Sequence, residues 1–255
     1  MTVAVHELQP FLKRLRLSGV LDTLEVRNEQ AVAEKWTYID FLSRLLQDEV
    51  ERRAQKQLAL RIKRGRINTT KTLEAFDFTF NQSVNRRQVY DLATCEFIRR
   101  RRNAVIVGQT GVGKTHLAHA LAHEAVRKGF DVLFVGAHQL VSHLAAGRAD
   151  DTSQRRLATY LKPDLLVVDD FGLRPLPPTG GGDLYDVIDG RYERGSIIAT
   201  SNRAPSEWHE WLGDPLLASS TLDRLGHDAA VITITGKSFR RPFNDADKEV
   251  PPDDD

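Results

Sequence analysis

The sequence predicts an α/β protein: a parallel sheet of five strands with helices on both faces, preceded by a small all-helical module. Three observations predict it. From residue 104 onward, short runs rich in β-branched residues alternate with segments of helical spacing: AVIVG at 104, DVLFVG at 131, DLLVVDDFG at 164, SIIATSN at 196 and AVITITG at 230. Near-continuous apolar runs of this length are strands buried on both faces, and the intervening segments are the crossovers that parallel strands require. Before them, from Val5 to about Ile67, apolar residues recur at helical intervals instead. Finally, 255 residues, 41% of them hydrophobic and 28% charged, suffice for one full α/β core and a small extra module.

In chain order, Leu8, Leu12 and Leu15 mark one helical stretch, and Ile39, Leu42, Leu45, Leu46 and Val50 mark another. Thr37, three residues before Asp40, reads as the N-cap pair that opens the second. A polar, Thr-rich connection, GRINTTKTLEAFDFTF, follows, and its alternating Phe76, Phe78 and Phe80 are expected to dock on the next domain. The boundary is placed near residue 70, giving a helical domain over 1–70 and an α/β domain over 71–243. The ending NDADKEVPPDDD, residues 244–255, is acidic and free of aromatics, the composition of a disordered tail.

Charge and cysteine content narrow the function. Residues 1–102 carry 20 Lys/Arg against 13 Asp/Glu, and the remainder 16 against 22. Arg52, Arg53, Lys56, Arg61, Lys63, Arg64 and Arg66 follow one another with no acid between them, and Arg99 to Arg102 form a second run. A polyanion such as nucleic acid is the natural partner; the competing reading is a solvated helix face. The single Cys95 excludes an internal disulfide and a cysteine-built zinc site. No apolar run approaches the roughly 18 residues of a membrane span, so a cytoplasmic protein without membrane contact is expected.

The chemistry is concentrated in Gly108-Gln109-Thr110-Gly111-Val112-Gly113-Lys114-Thr115, which matches G-x-x-x-x-G-K-[ST] between a strand and a helix. Glycines let such a loop curl until its amides point at a β-phosphate; Lys114 bridges β- and γ-phosphates, Thr115 offers its hydroxyl to Mg²⁺, and the helix beginning there, with His116 in its first turn, presents a positive dipole end. ATP with Mg²⁺ is therefore the expected cofactor. LLVVDD delivers Asp169 and Asp170 at the carboxyl edge of a buried strand, Asp169 for the metal and Asp170 to orient or deprotonate the attacking water, unless the pair merely ends the strand in a turn. IIATSNR ends another strand in Thr200, Ser201 and Asn202, and the Asn202 amide can sense the γ-phosphate or cap the helix after it.

GVGKTHLAHAL, LLVVDDFG, ATSNRAPSEW, LDRLGH and ITGKSFR, in this order over about residues 70–241, resemble the IstB-like helper ATPases of insertion sequences, AAA+ proteins close to DnaC helicase loaders and DnaA initiators. The resemblance implies an AAA+ P-loop NTPase that oligomerises with ATP on double-stranded DNA, remodels it and recruits or activates an integrase-like transposase. It implies that Arg224, in LDRLGH, is an arginine finger acting on a neighbouring subunit's nucleotide; an ion pair with Asp223 or Asp228 is the alternative. Arg203 is a second candidate. Many relatives carry Glu where Asp170 stands, and the shorter side chain reaches about one methylene less. Too few residues follow VITITGKSFR for the C-terminal helical lid of other AAA+ proteins, and Arg240 is left as a partial substitute for the lid's arginine. In the initiator-like group the long segment after the second strand turns towards nucleic acid, which nominates Arg148, Arg155 and Arg156 as DNA contacts beside Arg61, Lys63 and Arg64 of the helical module.

Two other readings compete with this one, the first from the same superfamily and the second from another class. A helicase loader of the DnaC type would share the ATPase core. A small-molecule kinase would share the phosphate loop but not the LDRL and TSN elements. His116, His119 and His123 share one helix face, but that helix packs on the sheet and begins at the phosphate loop, which argues against zinc. The carboxylates of GDLYDVIDGRYERG accompany the amphipathic spacing of Leu184, Val187, Ile188 and Tyr192 and read as scaffold or subunit interface.

Overall fold

The structure, a computed structural model, describes residues 5–239; Arg240 and the acidic ending 244–255 lie outside the described residues. The chain divides into two compact units, one up to Arg61 and one from Ile62 onward.

The first unit is helical: α1 (Val5–Arg14), α2 (Ser18–Glu34) and most of α3 (Tyr38–Arg64), whose last residues belong to the second unit. Val20, Leu24 and Leu45 form its core, with Leu12, Leu17 and Phe41 against them. The Thr37 hydroxyl accepts the Asp40 amide (3.2 Å) as the capping pair requires. The face of α3 turned inward is Phe41, Leu45 and Glu49, while Ile39, Leu42, Leu46 and Val50 are exposed. Glu49 is 4% exposed because it caps α2 from another helix, accepting the Gly19 amide at 2.5 Å. Burial would raise its pKa, but Arg53 (2.6 Å) and the Gly19 and Val20 amides hold it below the usual range. Arg27 grips Asp48 through two bonds of 2.8 and 2.7 Å and brings that carboxyl down to about 2.

The second unit holds the sheet. After α4 (Arg86–Ala93) and α5 (Glu96–Arg99), the strands β1 (Ala104–Gly108), β2 (Val132–Gly136), β3 (Leu165–Phe171), β4 (Ser196–Ser201) and β5 (Ala230–Ile234) pair in parallel in the order β2-β3-β4-β1-β5. All five fall on the expected apolar runs. The crossovers are α6 (Lys114–Arg127), the pair α7 (Ala137–Ala149) and α8 (Ser153–Leu161), α9 (Gly180–Arg191), and α10 (Trp208–Leu212) with α11 (Pro215–Gly226). Val105, Ile106 and Val107 of β1 are buried, each contributing about 1.5–3 kcal/mol by removal from water. The outer edge of β5 is covered from the preceding connection, where Gln88 donates to the Val231 carbonyl (2.9 Å) and Ser83 to that of Thr235 (2.7 Å). None of the described helices is long and apolar enough to cross a membrane.

Candidate nucleotide-binding site

Parallel pairing aligns the carboxyl ends of the strands, and the register brings Gly108 level with Ile234, Val107 with Ser201 and Gly136 with Asp169. The expected phosphate loop, acidic pair and polar strand end therefore meet at one edge. Thr110 to His116, Asp170 and Asn202 line a single cleft of about 400 Å³.

The loop depends on two glycines. Gly113 takes φ 104° as the residue preceding α6, a conformation that L side chains rarely adopt. At Gly108 a Cβ would lie 2.1 Å from the Ile234 carbonyl oxygen, so the backbone of β5 excludes any side chain there. Lys114 is 7% exposed, and its ammonium donates to the Gln109 carbonyl at 2.8 Å, a lysine folded over its own loop.

Asp169 is 9% exposed and held by two hydroxyls: Thr115 donates to its Oδ1 at 3.1 Å, and Thr200 donates to the same oxygen. The pairing of β3 with β4 shifts register between Val168 and Phe171, and Asp170 sits in this irregularity at φ 58°. The Asp170 amide donates to Thr200 Oγ1 (3.1 Å), while its side chain is exposed on the cleft wall. One hydroxyl, Thr200, thus holds the Asp169 carboxylate and the backbone of Asp170, a role that its place at a strand end did not reveal. Asn202 lines the cleft. The 3₁₀ turn Pro205–Glu207 after it is capped by Glu207, which accepts the Ala204 amide (2.6 Å), so Asn202 is not the helix cap.

The aromatic connection does dock on this domain. Phe76 meets His116 edge-on (5.3 Å) and lies 3.1 Å from where a Gly113 Cβ would stand; Phe80 meets Phe239 (4.7 Å). Phe76, Phe80 and Phe239 make one end of the cleft apolar. Asn81, 4% exposed, joins them and donates to the Val112 carbonyl (2.9 Å). Asn81 carries no motif that could have announced it, and Phe239 lies in ITGKSFR, whose place in the family pattern gave it no role.

His116 bonds the Thr72 carbonyl (2.9 Å), so two of the three histidines on α6 already have partners. His119 accepts the Asn68 amide on Nδ1 (3.3 Å) and stacks on Phe134 at 3.7 Å. Burial first, then Lys71, push its pKa down from 6.5 to about 4. A folded state that refuses the proton binds fewer protons than the unfolded chain between these values, so stability falls as pH drops from about 6.5 towards 4. Urea unfolding at pH 7.5 and 5 should show this loss, and His119→Phe, which keeps a stacked ring without a titrating nitrogen, should reduce the pH dependence.

Of the residues nominated for DNA, Arg148 is committed to the buried Asp183 and to Thr179, pinning α7 to α9. Arg156 bonds Asp150, Thr152 (2.7 Å) and the His143 carbonyl (2.8 Å). Arg155, Lys63 and Arg64 are exposed, and Arg61 is half-buried. Arg224 pairs with neither Asp223 nor Asp228 but with Asp189 of α9 (2.7 Å), its guanidinium 5.3 Å from the Tyr185 ring. Arg203 donates to the Gly172 carbonyl (2.9 Å).

A parallel sheet of this order, with a phosphate loop after β1, acids ending β3 and a polar residue ending β4, defines an AAA+ P-loop domain. Solved structures share the fold: the DnaC helicase loader (TM-score 0.55, 23% identity, covering 64% of this chain and 97% of that chain) and DnaI (TM-score 0.56, 22% identity, 64% and 90%). Over residues 10–245 the chain matches the family described as IstB-like ATP binding protein, and it belongs to that family. Its relatives include insertion-sequence proteins named for ATP binding. That of IS5376 from Geobacillus stearothermophilus is 35% identical over 236 residues, 92% of this chain and 93% of the relative. One from Mycobacterium tuberculosis is 37% identical over 241 residues, 94% and 96%.

Proposed function

We propose that this chain is the ATPase subunit of an insertion-sequence transposition system, which assembles with copies of itself on duplex DNA when ATP is bound and presents the deformed DNA to a transposase. The observation that carries the reading is the convergence of Lys114, Thr115, Asp170 and Asn202 on one cleft, with Asp169 bonded to Thr115, in a chain whose relatives are insertion-sequence proteins. The solved DnaA initiator of this fold (TM-score 0.55) is bound to AMPPCP and single-stranded DNA, which supports a nucleotide-gated DNA role. A helicase loader is the second reading, favoured by the likeness to DnaC along 97% of that chain. A transposase gene beside this one favours the first reading, and a replication gene the second.

The donor set fits the cofactor. Thr115 Oγ1 and Asp169 Oδ1, 3.1 Å apart, are the hard oxygens that Mg²⁺ prefers. Lys114 would exchange the Gln109 carbonyl for phosphate oxygens, and the apolar end made by Phe76, Phe80 and Phe239 would suit a base. Bound metal supplies charge neutralisation on the phosphates. Asp170 accepts a proton from, or orients, the attacking water, and Asn202 bonds the γ-phosphate. Arg224 acts on the nucleotide of the next copy. DNA phosphates are met by the exposed Lys63, Arg64 and Arg155, so binding is weakly sequence-specific and strongly salt-dependent.

Asp170→Asn tests this function. The amide keeps the size of the side chain but cannot take a proton. Turnover is expected to fall about 10²- to 10⁴-fold, the range ascribed to general bases, while ATP affinity stays unchanged and DNA-bound assemblies persist longer. Loss of ATP binding in this variant would mean that the carboxylate serves the fold instead.

A further inference from the structure

At the opposite edge of the sheet, where the strands begin, the turns entering β1, β4 and β5 close around a second cavity of about 250 Å³. One residue of each turn, Arg101, Glu193 and Asp228, lies in the left-handed region (φ 55°, 56° and 53°), where glycine or asparagine is the ordinary choice. Each is the residue after the C-cap of α5, α9 or α11, the ordinary left-handed ending that turns a helix into the next segment.

Arg191, 1% exposed, is the buried cation of this cavity. It donates to the carbonyls of Tyr160 (2.8 Å), Asp164 (3.1 Å) and Ser196 (2.8 Å), and its Nε–H has no hydrogen-bond partner. Burial lowers its pKa to about 10, so it stays cationic at neutral pH. Arg102 and Arg224 are fixed to one frame by Asn103, which donates to the carbonyls of Arg224 (3.2 Å) and Leu225 (3.1 Å) and accepts the Ile197 amide (2.9 Å). The partners of these cations are weakly held: Arg102 meets the exposed Asp228 at 3.2 Å, Arg101 a Glu193 carbonyl at 2.9 Å, and Arg224 the half-exposed Asp189. Exposed pairs of this kind contribute little and exchange readily for a phosphate, which guanidinium grips through parallel N–H bonds.

We infer that this cavity receives the terminal phosphates of ATP held in the cleft of a second copy, with Arg101 and Arg102 acting in trans as phosphate ligands beside Arg224. The inference rests on the reading of Arg224 given above. The phosphate cleft lies where the strands end and this cavity where three of them begin, so a head-to-tail contact between copies sets one against the other. The occupant is a single terminal group rather than a length of DNA, because a cavity of about 250 Å³ takes a phosphate group and not a duplex.

The test is Arg101→Asn with Arg102→Gln, asparagine being suited to the left-handed backbone. ATP binding and thermal unfolding are expected to match the parent, while turnover falls roughly 10²-fold, the loss on removing a preorganised donor. Mixing this variant with Lys114→Ala, which lacks a working cleft but keeps the cavity, should restore hydrolysis. Arg224→Ala mixed with Lys114→Ala is the parallel arm. If the double variant keeps full activity while the Arg224 arm shows complementation, Arg101 and Arg102 have no such role and Arg224 retains its own. A slowed double variant that the mixture does not rescue would place its effect within one subunit and overturn the inference. Weakened DNA binding with turnover intact would assign the cavity to DNA and also overturn it.

Discussion

Lys114→Ala is expected to weaken ATP binding by about two orders of magnitude and to abolish nucleotide-dependent assembly, the largest effect of any single substitution in this chain. The side chain is 7% exposed and lies on the Gln109 carbonyl at the mouth of the amide cradle. Losing one member of a buried, hydrogen-bonded charge pair costs about 2–5 kcal/mol, enough for that change in affinity. Leu117, Leu121 and Val126 carry the packing of α6, so the variant is expected to stay folded. Equilibrium titration with a fluorescent ATP analogue, beside sedimentation of the same samples, measures both expectations. Unchanged ATP-dependent assembly would remove Lys114 from its assigned place.

Arg224→Ala is expected to behave in the opposite way, binding ATP as tightly as the parent but hydrolysing it roughly 10³-fold more slowly, the lower range for arginine fingers. Its guanidinium is held by Asp189 at 2.7 Å and faces Tyr185, and it lines the cavity among the strand starts instead of the chain's own phosphate cleft. A residue so placed acts on a nucleotide only across a contact between copies. The parent's turnover per subunit should therefore rise with protein concentration, and that rise should vanish in the variant. Concentration-independent hydrolysis, unaltered by the substitution, would move the finger elsewhere.

What was legible in the sequence followed from how local each signal is. The phosphate loop occupies eight consecutive residues between a strand and a helix, so its chemistry and context arrive together. The five strands are continuous apolar runs and fall where expected. Helix α2 gave no such signal: its N-terminus is capped by Glu49, thirty residues away, rather than by a residue of its own. The same distance hid the hold of Thr200 on Asp169, the commitment of Arg148 to Asp183 and the pairing of Arg224 with Asp189. Each joins residues on different elements, and only the strand order brings them together. The exposure of Ile39, Leu42, Leu46 and Val50 was hidden for another reason, since helical spacing reveals that a stripe exists but not which stripe the neighbouring helices cover. Asn81 comes to the cleft from the connection before the sheet, which carries no motif, and Phe239 from ITGKSFR after β5, a motif that marks the family but not a ligand wall.

The most direct measurement is the mass distribution of the purified chain with duplex DNA, in ATP and in ADP, at two salt concentrations. Large DNA-bound assemblies in ATP alone, weakening steeply as salt rises, are the predicted result. A chain that stays monomeric and indifferent to DNA in both nucleotides would contradict the proposed function.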